Sequence, residues 1–116
     1  MNLDEIIGYC LKKPGTWSDF PFDEYTMVIK VSSKMFCLIG NDEIPRINLK
    51  CDPIRAEALR QKHSWILPGY HMNKLHWNTL ILKDSADPEL VKELIDHSYE
   101  LVFKNLNRKE RSVIKN

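Results

Sequence analysis

The densest group of side chains that could do chemistry lies between residues 68 and 79. The stretch reads Pro68-Gly69-Tyr70-His71-Met72-Asn73-Lys74-Leu75-His76-Trp77-Asn78-Thr79 and holds two of the four histidines. Its candidate ligand-binding residues are His71, Asn73, Lys74, His76 and Asn78. The alternative interpretation is structural, because asparagines in irregular segments often satisfy backbone groups. Trp77 can stack on a base, although a tryptophan that opens an apolar strand is typical of a core.

The two histidines of this stretch do not form a metal site by themselves. His71 and His76 lie five residues apart, so they share no helical face and point to opposite sides of a strand. A metal would need a further ligand, and nothing in the sequence selects one among Cys51, Asp52 and His63. We therefore predict no metal and no cofactor.

Cys51 and His71 could act as a nucleophile and its base. However, Cys51 follows Ile47 and Leu49 at a spacing of two, which predicts a thiol buried with them in a strand. We therefore predict no catalytic residue and a protein that is not an enzyme.

A second candidate group is the cationic side of the stretch Arg46-Ile47-Asn48-Leu49-Lys50-Cys51. Because side chains alternate along a strand, Arg46, Asn48 and Lys50 share the face opposite the apolar residues. Arg55 and Arg60 are expected to point outward from the helix that follows. Cations in such positions suit contacts to nucleic-acid phosphates.

Charge is distributed unevenly along a chain whose net charge is only +1. Residues 46–76 carry six Lys or Arg against two Asp or Glu, a net charge of +4, while residues 1–45 and 77–104 each carry −3. The sequence pI of about 7.7 is below the range typical of a dedicated DNA-binding domain. The pattern favours weak, non-specific DNA binding by the 46–76 region, and the alternative is a solvated basic face.

The elements that must position these residues can be read from periodicity. Apolar residues at helical spacing predict a first helix that is capped by Asn2 and ends before Pro14-Gly15. The sequence then predicts three strands, at 25–32, 35–39 and 46–51, and a helix that starts at Asp52-Pro53. Two short strands follow, one of them at 77–83, and a last helix starts at Asp87-Pro88. Residues 16–22 are expected to be an aromatic loop folded over the core. The predicted order is α-β-β-β-α-β-β-α.

Size and composition indicate one domain over residues 1–116, with a basic tail at 105–116 that is expected to fray. No apolar run approaches the roughly 18 residues of a membrane span, and the N-terminal residues lack a signal-peptide pattern. We therefore expect a cytoplasmic protein with no membrane partner. Three cysteines, an odd number, indicate buried thiols rather than a disulfide framework.

Several stretches together resemble the MmcQ/YjbR family. They are Phe20-Pro21-Phe22, Asn48-Leu49-Lys50-Cys51-Asp52-Pro53, Pro68-Gly69-Tyr70-His71-Met72-Asn73-Lys74, His76-Trp77-Asn78-Thr79 and Glu93-Leu94-Ile95-Asp96-His97-Ser98-Tyr99-Glu100-Leu101. The resemblance implies a compact α+β fold of double-wing type, a two-layer α/β sandwich with an antiparallel sheet, related to frataxin-like and secretion-chaperone-like folds. It also implies DNA binding, and it supplies no catalytic residues.

Three functions follow from these observations. The first is non-enzymatic DNA binding through the 46–76 region. The second is a peptide- or protein-binding module, because secretion-chaperone-like sheets offer an apolar face or edge to a partner. The third is a small-molecule binder or enzyme centred on His71, Lys74 and His76. Salt separates the first two, since phosphate contacts weaken with ionic strength and apolar docking does not.

Overall fold

The computed structural model describes residues 1–40, 43–70 and 72–114. Its elements are α1 (Leu3–Leu11), β1 (Thr16–Asp19), β2 (Met27–Val31), β3 (Lys34–Gly40), β4 (Arg46–Lys50), α2 (Pro53–Lys62), β5 (Ile66–Pro68), β6 (Trp77–Ile81), α3 (Pro88–Lys104) and α4 (Arg108–Ile114). The strands form one sheet in the order β1-β2-β3-β4-β6-β5, and every neighbouring pair is antiparallel. The predicted α+β fold class is confirmed, and the eight predicted elements occur in the predicted order, with β1 and α4 as additional elements. Among the described helices, none has the length and apolar character that crossing a bilayer requires.

The helix starts arise from local capping. The Asn2 side chain accepts a hydrogen bond from the Glu5 amide, and the Glu5 carboxylate accepts one from the Asn2 amide, which completes a capping box at α1. The Asp52 carboxylate accepts from the Arg55 amide at the start of α2, and the Asp87 carboxylate accepts from the Glu89 amide at the start of α3, each directly before a proline. These three starts lie where the sequence predicted them.

The period-two pattern of β4 separates the two faces of the sheet. Ile47 and Leu49 are buried in the core cluster that α1 and α3 cover. Arg46, Asn48 and Lys50 are half-buried on the opposite face. The predicted alternation is therefore confirmed. We call the face opposite the core the uncovered face.

Helix α3 is tied to the sheet by polar bonds as well as by its apolar side. The Ser98 hydroxyl donates to the Phe36 carbonyl at 2.6 Å and accepts from the Lys50 amide at 2.9 Å. Nε2 of His97 accepts from the Asp52 amide at 3.1 Å. These bonds satisfy backbone groups of β3, of the end of β4 and of the start of α2, so α3 fixes the junction of β4 and α2 against the sheet.

Helix α1 is held to α3 through Asp96. The Tyr9 hydroxyl donates to an Asp96 carboxylate oxygen at 2.7 Å, and the Lys13 ammonium forms an ion pair with the same oxygen. Burial and the bond to Asp96 raise the pKa of Tyr9 to about 12, so its hydroxyl keeps its proton at neutral pH. This cluster has a structural role.

Two segments differ from the sequence expectation. Residues 16–19 form the edge strand β1, paired from Thr16↔Val31 to Asp19↔Val28, instead of an aromatic loop. The strand was not recognised because it buries none of its side chains fully and so has no clear alternation. The loop is confined to the residues between β1 and β2.

The C-terminal segment, for which the sequence predicted fraying, contains α4. Its Glu110 carboxylate accepts hydrogen bonds from the Ser32 hydroxyl at 2.6 Å and the Ser33 amide at 3.2 Å, both in the turn between β2 and β3. Ile114 packs over Gly15, where an added Cβ would lie 2.7 Å from the Ile114 side chain. These contacts come from residues far away in sequence, so local composition did not predict them.

We predict that Leu94→Ala lowers the free energy of unfolding by about 2–5 kcal/mol, because Leu94 is 3% exposed in the α3 core and its truncation leaves a cavity. Chemical denaturation measures the change. Leu75→Ala is the matched control: Leu75 is 61% exposed, and its truncation is expected to change stability by no more than about 0.5 kcal/mol. Equal effects of the two substitutions would contradict the assignment of the core.

We predict that all three thiols react slowly with a thiol reagent in the native protein and quickly after unfolding. Cys10, Cys37 and Cys51 are buried and free of disulfides. Burial raises the pKa of the Cys51 thiol to about 11, so little reactive thiolate is present at neutral pH. Fast native labelling of Cys51 would contradict its buried position.

We predict that acid weakens the docking of α4. Hydrogen bonds from Ser32 and Ser33 lower the pKa of Glu110 from 4.5 to about 2. Because the folded pKa is the lower one, this contribution is present above about pH 4.5 and is lost as the pH falls towards 2. Thermal melts across this range should show a smaller decline for Glu110→Gln than for the parent. Glu57→Gln, which removes an exposed carboxylate on α2, should decline as the parent does.

Candidate functional site

The cationic row of β4 lies on the uncovered face beside β6. The register places Arg46 opposite Ile81, Asn48 opposite Thr79 and Lys50 opposite Trp77. Trp77 is 8% exposed and packs with Val28 and Leu38 in a small apolar cluster on this face. The predicted core role of Trp77 is therefore confirmed. The half-buried row on β4 therefore lies next to the apolar cluster of Val28, Leu38 and Trp77 and remains partly accessible to solvent.

A chain of hydrogen bonds connects this row to the segment after β5. The Tyr70 amide donates to the Thr79 hydroxyl at 2.8 Å, and that hydroxyl donates to Oδ1 of Asn48 at 2.5 Å. The bond orients the Asn48 amide by occupying its oxygen. Its nitrogen donates no hydrogen bond to any residue that the structure describes, so two N–H donors remain for a ligand.

Arg46 lies against the ring of Tyr70. The guanidinium carbon is 5.8 Å from the ring centroid, within the range of a cation–π contact. Tyr70 is nevertheless 55% exposed, so about half of its surface is accessible to solvent. The pair offers a positive charge and an aromatic surface at one place.

These residues line a cleft of about 450 Å³ on the uncovered face. We call it the sheet-face cleft. Its lining residues are Phe22, Asp23, Tyr25, Thr26, Leu38, Gly40, Arg46, Asn48, Tyr70 and Met72. One wall is the loop between β1 and β2, and the other is formed by Tyr70 and Met72.

The loop wall is shaped by Asp23. One oxygen of its carboxylate accepts hydrogen bonds from the amides of Tyr25 and Thr26, at 2.8 and 2.7 Å. Those bonds lower the pKa of Asp23, so the carboxylate stays ionised and engaged with its own loop. The turn leaves Tyr25 75% exposed.

The cations of α2 lie away from this cleft. Arg55 pairs with Glu93 of α3 at 2.5 Å, on the layer of helices. Arg60 donates to Oδ1 of Asn78 at 2.8 Å, and Asn78 is 2% exposed and turned towards α2. The structure therefore separates these three predicted site residues from Arg46, Asn48 and Lys50.

Several polar groups of the segment 69–76 are already engaged in hydrogen bonds within the described part of the protein. The Lys74 ammonium donates to the Gly69 carbonyl at 3.1 Å, and the Asn73 side chain accepts from the Leu75 amide at 2.9 Å. The His76 carbonyl accepts from the Cys51 amide at 2.8 Å. None of Asn73, Lys74 and His76 lines the sheet-face cleft. His71 lies outside the described residues.

Sequence reasoning did not single out Tyr70, Thr79 or the loop residues Phe22 and Tyr25. Tyr70 and Thr79 were within the polar cluster, but only the β4–β6 register brings Thr79 to Asn48. The Asp23 turn had a usable signal, an aspartate two residues before an aromatic residue in a loop. Within residues 1–40, 43–70 and 72–114, no three His, Cys, Asp or Glu side chains are grouped to hold a metal.

The chain is similar over nearly its whole length to proteins from distant bacteria. It is 34% identical to YjbR of Escherichia coli (strain K12) over 98% of each chain, and 32% identical to YyaQ of Bacillus subtilis (strain 168) over 87% of this chain and 98% of that one. These relatives are uncharacterised proteins, so they bring no activity with them.

Solved structures share the fold. The crystal structure of Deinococcus radiodurans protein DR2400, with the family domain DUF419, matches with a TM-score of 0.91 and 39% identity over 97% of this chain and 87% of that one. A crystal structure of a Pseudomonas syringae protein, target PsR293, matches with a TM-score of 0.76 and 31% identity over 87% of this chain and 98% of that one. The family model for YjbR matches residues 11–101. The resemblance in the sequence is thus confirmed, and the chain belongs to the YjbR family.

Proposed function

We propose that this chain is a non-enzymatic, cytoplasmic protein that binds nucleic acid weakly through the uncovered face of its sheet. One observation carries the proposal: β4 presents Arg46, Asn48 and Lys50 in a row on a face that none of the described helices covers, next to the exposed ring of Tyr70. Cations for phosphates combined with aromatic surfaces for bases are the groups that nucleic-acid-binding sheets use.

Lys50 is the cation of this face most available to a phosphate. Its ammonium makes no ion pair or hydrogen bond within the described part of the chain, and it stands one alternate position beyond Asn48. Lys30, on the same face, is 3.2 Å from the Asp19 carboxylate and lies over the Trp17 ring. Part of the Lys30 charge is therefore already balanced.

Within the basic region 46–76, only the β4 residues are proposed to form the binding surface. Arg55 and Arg60 are engaged with Glu93 and Asn78 on the layer of helices. With few cations on the binding face and a net charge of +1, binding should be weak and non-specific. Salt should weaken it with a slope of only about one unit for each cation that contacts a phosphate.

A peptide-binding module is the second candidate, and one observation favours it. The edge strand β5 carries Leu67, which is 44% exposed and pairs with Thr79 on the uncovered face. An extended peptide could add to this edge. Such docking would depend on apolar contact, so salt would leave it nearly unchanged. A small-molecule site centred on His71, Lys74 and His76 has less support, because Lys74 and His76 lie outside the sheet-face cleft.

We predict that Lys50→Ala weakens binding to mixed-sequence duplex DNA about equally for all sequences. It should also reduce the slope of log affinity against log salt by roughly one unit, because one phosphate contact is lost. Fluorescence anisotropy over a salt series measures both quantities. Arg46→Ala should reduce the slope in the same way.

The control is Lys62→Ala. Lys62 belongs to the same basic region but lies on α2, in the groove between α2 and α3. The Lys62→Ala substitution should leave both the affinity for DNA and the slope of log affinity against log salt unchanged. Equal losses for Lys62→Ala and Lys50→Ala would mean that the uncovered face is not the binding surface. Absence of binding at low salt and high micromolar DNA would refute nucleic-acid binding altogether.

A further inference from the structure

The sheet-face cleft is surrounded by aromatic rings that the fold leaves open to solvent. Tyr25 is 75% exposed, Phe22 65% and Tyr70 55%, and all three line the same space. Its volume of about 450 Å³ falls within the range of small-ligand sites. Burying these ring surfaces is favourable, and a flat partner that reaches the cleft would cover them.

Both walls are held in place without a ligand. The Asp23 carboxylate fixes the turn that carries Tyr25. The Tyr70 amide is bonded to Thr79, and the Arg46 guanidinium packs against the Tyr70 ring. A partner that enters therefore has little ordering cost to overcome.

The floor of the cleft is suited to a ligand with hydrogen-bond acceptor atoms. Asn48 lies there with its amide oxygen occupied by Thr79 and its two amide N–H donors available within the described structure. Nucleobases present carbonyl oxygens and ring nitrogens along the edges that pair in a duplex. Those edges are reachable only when the base is unpaired.

The charges around the cleft indicate whether a nucleobase or a small anion is the better ligand. Among its described lining residues, the charged groups are the carboxylate of Asp23 and the guanidinium of Arg46, whose charges are opposite. Lys50 stands outside the cleft, further along the same row. A neutral ring inside with a phosphate outside matches this arrangement better than a free anion does.

We propose that the sheet-face cleft binds one unpaired nucleobase, stacked against Tyr70 and Tyr25 and hydrogen-bonded to the Asn48 amide. The adjoining phosphates would then lie along Lys50. The protein would select single-stranded nucleic acid over duplex. This inference rests on the nucleic-acid binding proposed above and adds to it the recognition of a base.

The test compares two single strands with the same number of phosphates, oligothymidylate and an abasic oligonucleotide, and adds a duplex, whose phosphates are more densely spaced. Anisotropy at low salt should show oligothymidylate bound about 5- to 150-fold more tightly than the abasic strand, the range expected for stacking of one base. It should also bind more tightly than the duplex. Tyr70→Ala should remove this advantage, and Tyr70→Phe should keep it.

Leu75→Ala is the matched control, since Leu75 is exposed in the same segment but does not line the cleft. It should bind as the parent does. Equal affinity for oligothymidylate, abasic strand and duplex would overturn base recognition and leave phosphate binding intact. So would a Tyr70→Ala loss of equal size on the abasic strand, because Tyr70 would then act only by positioning Arg46. No binding to any probe would overturn both proposals.

Discussion

The burial of Ile47 and Leu49 beneath the helices is the constraint on which the rest of this structure depends. Because strand side chains alternate, placing these two residues in the core forces Arg46, Asn48 and Lys50 onto the other face. A slip of one residue would exchange the two sets, and it would bury two cations. The hydroxyl of Ser98 opposes such a slip by binding the Lys50 amide and the Phe36 carbonyl. The core of the protein thus sets the orientation of its candidate binding face.

The candidate site depends on pairing between strands that are distant in sequence. Asn48 and Thr79 meet because β4 pairs with β6, and Thr79 in turn receives the Tyr70 amide. The Tyr70 ring then lies beside Arg46. Each contact follows from the previous one, so a single register places an amide, a guanidinium and an aromatic ring around one cleft. The α2 cations take no part, because α2 packs against β5 and β6 on the core side of the sheet.

Periodicity and capping predicted much of the fold, and they predicted part of the site. The β4 alternation was visible in the sequence because a strand that is buried on one side must alternate, and the Asp-Pro helix starts are local features. β1 and α4 were missed because pairing with β2 and the bonds from Ser32 and Ser33 to Glu110 are long-range. The same reason explains why only part of the candidate site was predicted. The row on β4 follows from local alternation, whereas the roles of Tyr70 and Thr79 depend on the register between β4 and β6.

Our central proposal is that this protein binds nucleic acid through the uncovered face of its sheet. The most direct measurement is a map of backbone amide chemical shifts during titration with oligothymidylate. We predict that the largest changes fall on Lys50, Tyr70 and Thr79, and that the amides of the α2–α3 groove around Arg55 and Glu93 stay unchanged. Changes centred on that groove, or no changes at saturating oligonucleotide, would contradict it.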